Sequence, residues 1–187
     1  MPATYTLSIL VGFSAVMIFL ERRGLPTTLE LTFKGDVKRE TRFLAQYGQT
    51  VCTALTALLI LRLDPQKGPQ AAKALLAAFI GVAVVGTLLK RLLGRARPRR
   101  ENAGKFLGPS FGHANFRESF PSSHSASAFA FSTVLSTAYP EAAPIFWTLA
   151  IVCAVLRYVM DAHWPSDVLA GIALGLLSGI LSVRFLM

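Results

Sequence analysis

Charge is scarce in this chain. Only 16% of its 187 residues are Asp, Glu, Lys or Arg, 53% are hydrophobic, and the mean hydropathy is +0.51. That balance excludes an ordinary water-soluble domain of this size and indicates a chain embedded in a bilayer. Negative charge is scarcer still, with 10 acidic residues against 19 basic ones and a formal net charge of +9. No acidic cluster of the kind that holds magnesium occurs. The two cysteines, Cys52 and Cys153, lie inside apolar runs, so both read as packing residues and neither a disulfide framework nor a thiolate metal site is expected. No basic stretch precedes the first apolar run, which therefore reads as a retained span and not a cleaved leader. Internal repeats and low-complexity tracts are also missing. The basic residues sit between apolar runs without the aromatic interleaving of a nucleic-acid stripe, so the expected partners are membrane lipids and an anionic substrate, with no nucleic acid.

What is present is a series of six apolar runs. They predict an all-α, integral-membrane six-helix bundle forming a single domain, with spans at about 4–20, 45–62, 72–92, 122–139, 142–160 and 166–186 and the active site at one membrane face. Residues 26–46 mix Glu30, Lys34, Asp36 and Arg39 with Leu29, Phe33 and Val37, which suits an amphipathic interfacial segment or a solvated loop. The loop at 93–121 is long and rich in Arg and Gly, and long loops in compact domains are usually functional or disordered. Gly171, Gly175 and Gly179 repeat every four residues on the face that also carries Asp167, a small-residue stripe that lets membrane helices approach closely. Trp147, Trp164 and Tyr139 read as interface anchors.

The chemistry is concentrated around Pro121-Ser122-Ser123-His124, which carries hydroxyls and a histidine into the start of an apolar run. The N–H groups of a helix N-terminus, with the positive end of its dipole, make a seat for an anion. Lys90 and Arg97 lie upstream, and Arg157, His163 and Asp167 downstream. Six spans would bring Lys90, Arg97, Ser122, His124, His163 and Asp167 to one level. Arg157, near the end of the fifth run, should turn inward and meet a partner rather than face lipid. Taken singly, each residue has a plainer explanation: an arginine marks a membrane boundary, His124 is a polar helix start, and Asp167 complements a helix dipole. Together they describe a phosphate site. A phosphomonoester dianion must be neutralised before a nucleophile approaches, and Lys90, Arg97 and Arg157 supply the charge, the arginines as planar two-point donors. Asp167, four residues beyond His163, is close enough to accept its ring N–H. His113 matches no motif position and reads as a loop residue.

Lys90 followed after six residues by Arg97-Pro98, then Pro121-Ser122-Ser123-His124, then Arg157 followed after five residues by His163 and after three more by Asp167, resembles the three-part signature of the type 2 phosphatidic acid phosphatase family. Ser123 stands where that pattern usually has glycine, and Leu156 where a serine usually precedes the arginine. The resemblance implies a six-helix bundle related to soluble vanadium haloperoxidases. It also implies His163 as a nucleophile forming a phosphohistidine, His124 as the acid on the departing oxygen, and Asp167 as the group that holds and polarises His163. Lys90, Arg97, Arg157, Ser122 and Ser123 would bind phosphate, with no metal and no cofactor.

The expected function is hydrolysis of a polyprenyl diphosphate, phosphatidic acid, phosphatidylglycerol phosphate or lipid A phosphate. A phosphotransferase using the same histidine and a non-catalytic lipid-phosphate binder or transporter are the alternatives. Counting Arg22, Arg23, Lys38, Arg39 and Arg42, the positive-inside rule places the site in the cytoplasm. The resemblance implies the opposite face of a bacterial inner membrane, and that is the expectation adopted.

Overall fold

Apolar runs bounded by charges and helix breakers become helices. The computed structural model describes residues 3–29, 31, 33–110, 112, 114–160 and 162–187, so Glu30 and His113 lie outside the described residues. Its helices are α1 (Ala3–Arg22), α2 (Gly35–Leu44), α3 (Thr50–Leu63), α4 (Gly68–Leu93), α5 (Ser123–Ala138), α6 (Ala143–Val159) and α7 (Pro165–Leu186). Short 3-10 turns occupy Asn115–Arg117 and Pro140–Ala142, and there is no strand among the described residues. Proline sits in the first turn of α4, α6 and α7, where its missing N–H costs nothing. Helix α4 ends at Gly94, whose left-handed conformation (φ 58°) returns its N–H to the Lys90 carbonyl at 3.0 Å.

Helix α5 is the centre of the bundle. Twelve of its sixteen residues are buried, and it packs against α4, α6 and α7. Its Ala- and Ser-rich sequence makes this possible, because small side chains let neighbouring backbones come close and several hydroxyls find acceptors on α5 itself or on α6. Thr133 donates to the Phe129 carbonyl at 2.7 Å and Ser132 to the Phe146 carbonyl at 2.8 Å. The glycine stripe of α7 faces α5. A Cβ on Gly171 would lie 2.5 Å from the Ser122 carbonyl oxygen and one on Gly179 2.6 Å from Thr133 Cβ, while one on Gly175 would run into the Ala126 carbonyl. Helix α1 lies on α7, tied there by Ser14 Oγ donating to the Ser166 carbonyl at 2.9 Å, and α3 lies on α4.

Among the described residues four helices are long and apolar enough to cross a membrane: Thr4–Arg22, Gly68–Leu93, Pro140–Val159 and Pro165–Leu186. Their outer faces expose Phe13, Phe19, Ile80, Ile145 and Phe185, an apolar exterior suited to lipid rather than water. The second apolar run is helical only from Thr50, after a turn through 45–48, so α3 has 14 residues and α5 has 16. At ~1.5 Å per residue each is shorter than a ~30 Å hydrocarbon core. Within 26–46, α2 is helical with none of its residues buried.

Trp164 departs from the anchor expectation. Its indole Nε1–H donates to the Ala96 carbonyl at 3.0 Å and its ring packs on Gly104 and under the Arg95 guanidinium, so it holds the long loop instead of marking an interface. Tyr139 donates its hydroxyl to Asp64 at 3.1 Å across the turns at the other end of the bundle.

Candidate active site

The loop between α4 and α5 is ordered by its own backbone. Arg95 and Phe106 pair as an isolated antiparallel bridge, and the Leu107 N–H returns to the Gly94 carbonyl at 3.0 Å. The Arg97 N–H donates to the Phe116 carbonyl at 2.9 Å and the Ser119 N–H to the Arg95 carbonyl at 3.0 Å. These bonds fold the loop back over the ends of α4 and α7 and deliver the motif residues to one place. Lys90 comes from the last turn of α4, Arg97 from the loop, and Ser123 and His124 from the first turn of α5. Arg157 comes from the last turn of α6, and His163 from the residues before α7. Lys90, Arg97 and Arg157 lie within electrostatic range of His124, and Arg97 and Arg157 within range of His163.

His163 is buried, only 2% exposed. Its Nδ1 lies 2.8 Å from the Ser119 carbonyl oxygen, which can only accept, so Nδ1 carries the proton and Nε2 keeps a free lone pair. The sequence expectation had given that N–H to Asp167. The carboxylate is instead 3.7 Å away, close enough to act as a charge while the carbonyl takes the hydrogen bond. Burial pushes His163 down to about 4; Asp167 opposes the shift, and Arg157 and Arg97 add to it. The imidazole is therefore neutral at physiological pH, the state a nucleophile requires.

Arg97 donates Nε–H to the Asn115 carbonyl at 2.8 Å, Nη1–H to the Ala162 carbonyl at 2.8 Å and Nη2–H to the Glu118 carbonyl at 3.4 Å. One of these three N–H groups ties the loop to the segment that carries His163, and the other two brace the loop internally. Arg157 turns into the bundle as expected, but the partner it was expected to meet is missing for one donor: its buried Nε has no hydrogen-bond partner among the described residues. Ser123 and His124 stay partly open, whereas Ser122 is fully buried. The Ser122 hydroxyl caps α5, accepting from the Ser125 hydroxyl at 3.0 Å and, at 3.5 Å, from its N–H, while the Ser122 N–H donates to the Asp167 carbonyl at 2.9 Å. Ser122 therefore joins α5 to α7, and only Ser123 and His124 of the motif face outward enough to meet a ligand.

Asp167 has no exposure, and its surroundings contain residues the sequence reading passed over. It accepts from the Ser119 hydroxyl, from the Trp164 N–H at 3.0 Å and from Arg95 Nη1 at 2.6 Å. Arg95 was one of several loop arginines and Glu21 one charge at the end of a span. No local signal separated either from its neighbours, and they meet across 74 positions of sequence.

The PAP2 superfamily model matches residues 71–187. A stretch of 94 residues is 43% identical to the lipid A 1-phosphatase of Rhizobium etli, covering 49% of this chain and 40% of that protein, so the chain spans about two fifths of the curated relative's length. The fold is similar to the crystal structure of LpxE from Aquifex aeolicus, with a TM-score of 0.64 at 22% identity over 82% of this chain and 89% of that one. It is also similar to the transmembrane PAP2-type phosphatidylglycerolphosphate phosphatase from Bacillus subtilis, with a TM-score of 0.63 at 18% identity over 98% and 93%. With its apolar helices and these membrane relatives, the protein is an integral membrane protein. Because the matched region contains all three parts of the signature and well over half of the chain, the protein belongs to the PAP2 superfamily.

Proposed function

We propose that the chain hydrolyses a phosphate or diphosphate carried by a membrane lipid, through a phosphohistidine on His163. The observation that carries this reading is the buried Arg157 Nε, without a partner among the described residues, beside Lys90 and Arg97. Gathered cations repel one another and lose hydration, and a phosphate dianion is the ligand that repays both. In the first step His163 Nε2 forms a bond to phosphorus as the bond to the lipid oxygen breaks, and His124 gives that oxygen a proton. In the second, water gives its proton to His124 and attacks phosphorus, and the N–P bond breaks to release phosphate. Lys90, Arg97, Arg157 and the Ser123 region neutralise the transferring group, so side chains supply the positive charge and the scheme needs no metal.

A lipid substrate suits a site at the ends of α4 to α7, with its tails remaining in the bilayer. The name of the Rhizobium etli relative favours a lipid A 1-phosphate as the first substrate to test, ahead of phosphatidic acid, phosphatidylglycerol phosphate and polyprenyl diphosphates. The arrangement we favour has six spans, with α3 and α5 crossing beside the four longer helices. We place the site on the non-cytoplasmic side of a bacterial inner membrane, the face that the family resemblance implies.

The test is phosphate release by detergent-purified protein from this panel in excess EDTA, alongside His163→Ala and acid-quench trapping of a labelled phosphohistidine. Release that His163→Ala abolishes, with label on the wild-type protein, is expected. Equal release by the variant would remove His163 as nucleophile.

A further inference from the structure

Arg95 is fully buried between two carboxylates. Its Nη1 donates to Asp167 Oδ1 at 2.6 Å and its Nη2 to Glu21 Oε2 at 2.7 Å. The rings of Phe106 and Trp164 enclose the guanidinium at 5.1 and 5.4 Å. Glu21 also accepts from Ser166, from its hydroxyl at 2.6 Å and from its N–H at 3.2 Å. Neither Glu21 nor Arg95 belongs to the three-part signature, and α1, which carries Glu21, precedes the stretch that the family model matches. Burying three charges is a poor route to stability, because desolvation consumes most of the attraction. A role in the chemistry next door accounts for the arrangement better.

We propose that Glu21 and Arg95 are positioning residues that set the charge and orientation of Asp167, and through it those of His163. The inference rests on the phosphohistidine reading. Two carboxylates against one guanidinium leave one surplus negative charge, held 3.7 Å from the His163 ring on the Asp167 side. When Nε2 bonds to phosphorus, Nδ1 keeps its proton on the Ser119 carbonyl and the ring becomes cationic. The surplus charge of the cluster stabilises that ring. Without Glu21, Arg95 turns its whole charge on Asp167 and the ring loses its counter-charge. Among the described residues the other groups facing His163 are Arg97 from the loop, Arg157 from α6 and His124 from α5, while Lys90 from α4 and Arg97 bear on Asp167 and the loop's Glu118 bears on Lys90 and Arg97. None of the three cations or His124 can replace the missing anion.

The experiment compares wild type, Glu21→Gln and Glu21→Asp in steady-state phosphate release across pH. Wild type must first turn over; if it does not, the functional reading fails and not this one. For Glu21→Gln, kcat is expected to fall about ten- to a hundredfold with KM nearly unchanged. The acid limb of kcat/KM, set by His163 near 4 in wild type, should move to lower pH because a negative charge is gone. Glu21→Asp keeps the charge, so its acid limb should stay in place with kcat between the two. Wild-type kcat in Glu21→Gln, or the same loss in both variants with no movement of the acid limb, overturns the proposal and leaves Glu21 a packing residue. Should Glu21→Gln fail to fold, Glu21→Asp decides: a lowered kcat with an unmoved acid limb supports the proposal, and a wild-type kcat or a moved limb overturns it.

Discussion

Replacing Asp167 by Asn removes one charge and almost no volume, which isolates what the carboxylate does for His163. The carboxylate lies 3.7 Å from Nδ1 with no exposure to solvent. Two unit charges at such a distance attract by about 4 kcal/mol at an effective dielectric constant near 20. Arg95 offsets part of this, so about 2–3 kcal/mol of stabilisation of a cationic His163 ring should be lost, or roughly 30- to 150-fold in kcat. The amide also cannot serve every donor around it. If its oxygen accepts from Trp164 N–H and the Ser119 hydroxyl at the Oδ2 position, its NH2 points at Arg95 Nη1, donor against donor. KM should change little, because Asp167 has no exposed surface with which to touch a ligand. Steady-state phosphate release at pH 7 with the best lipid substrate reads both constants. A kcat within about threefold of wild type would falsify the assignment of Asp167 as the counter-charge of the nucleophile.

Arg157→Met should abolish phosphate release yet raise the thermal stability of the ligand-free protein by about 1–2 kcal/mol, since a buried cation whose Nε has no partner among the described residues is replaced by an apolar chain; unfolding in detergent with and without phosphate measures this. Gly175→Val should push α7 off α5, because even a Cβ runs into the Ala126 carbonyl, and cost about 3 kcal/mol or more, seen as a lower unfolding temperature and loss of activity together. His163 is depressed from 6.5 to about 4, so the unfolded chain takes up a proton that the folded one refuses. Its contribution to stability is whole above pH 6.5 and fades as pH falls towards 4, by ~1.4 kcal/mol per unit, an effect that His163→Gln should remove from the pH dependence of unfolding.

Periodicity and spacing were enough for the all-helical architecture and for the candidate residues that the fold brings near one another. An apolar run between charged edges has few alternatives to a helix in lipid, because its backbone must satisfy its own hydrogen bonds. Gly171, Gly175 and Gly179 at intervals of four specify one face, and α5 lies against it. Lys90, Arg97, His124, Arg157, His163 and Asp167 converge because each sits at a helix end or in a loop on the same side of the bundle. Spacing could not tell which acceptor a side chain would choose. The His163 N–H goes to the Ser119 carbonyl, the Ser122 hydroxyl closes a helix cap, and Trp164 packs inside the loop. For His163 and Trp164 the deciding partner belongs to the long loop, which has no periodicity to read, whereas Ser122 closes on Ser125 within α5.

By itself the sequence determined that this is an all-helical membrane protein, which family signature it carries and which face of the last helix is buried. Those properties follow from local composition and regular repeats, which act over one or two turns of chain. Only the tertiary structure decided that Glu21 and Arg95 stand behind Asp167. Buried charges find one another through folding, across 74 positions of sequence in one case and 72 in the other, and no local pattern distinguishes an arginine that will be enclosed by carboxylates from one that will face water.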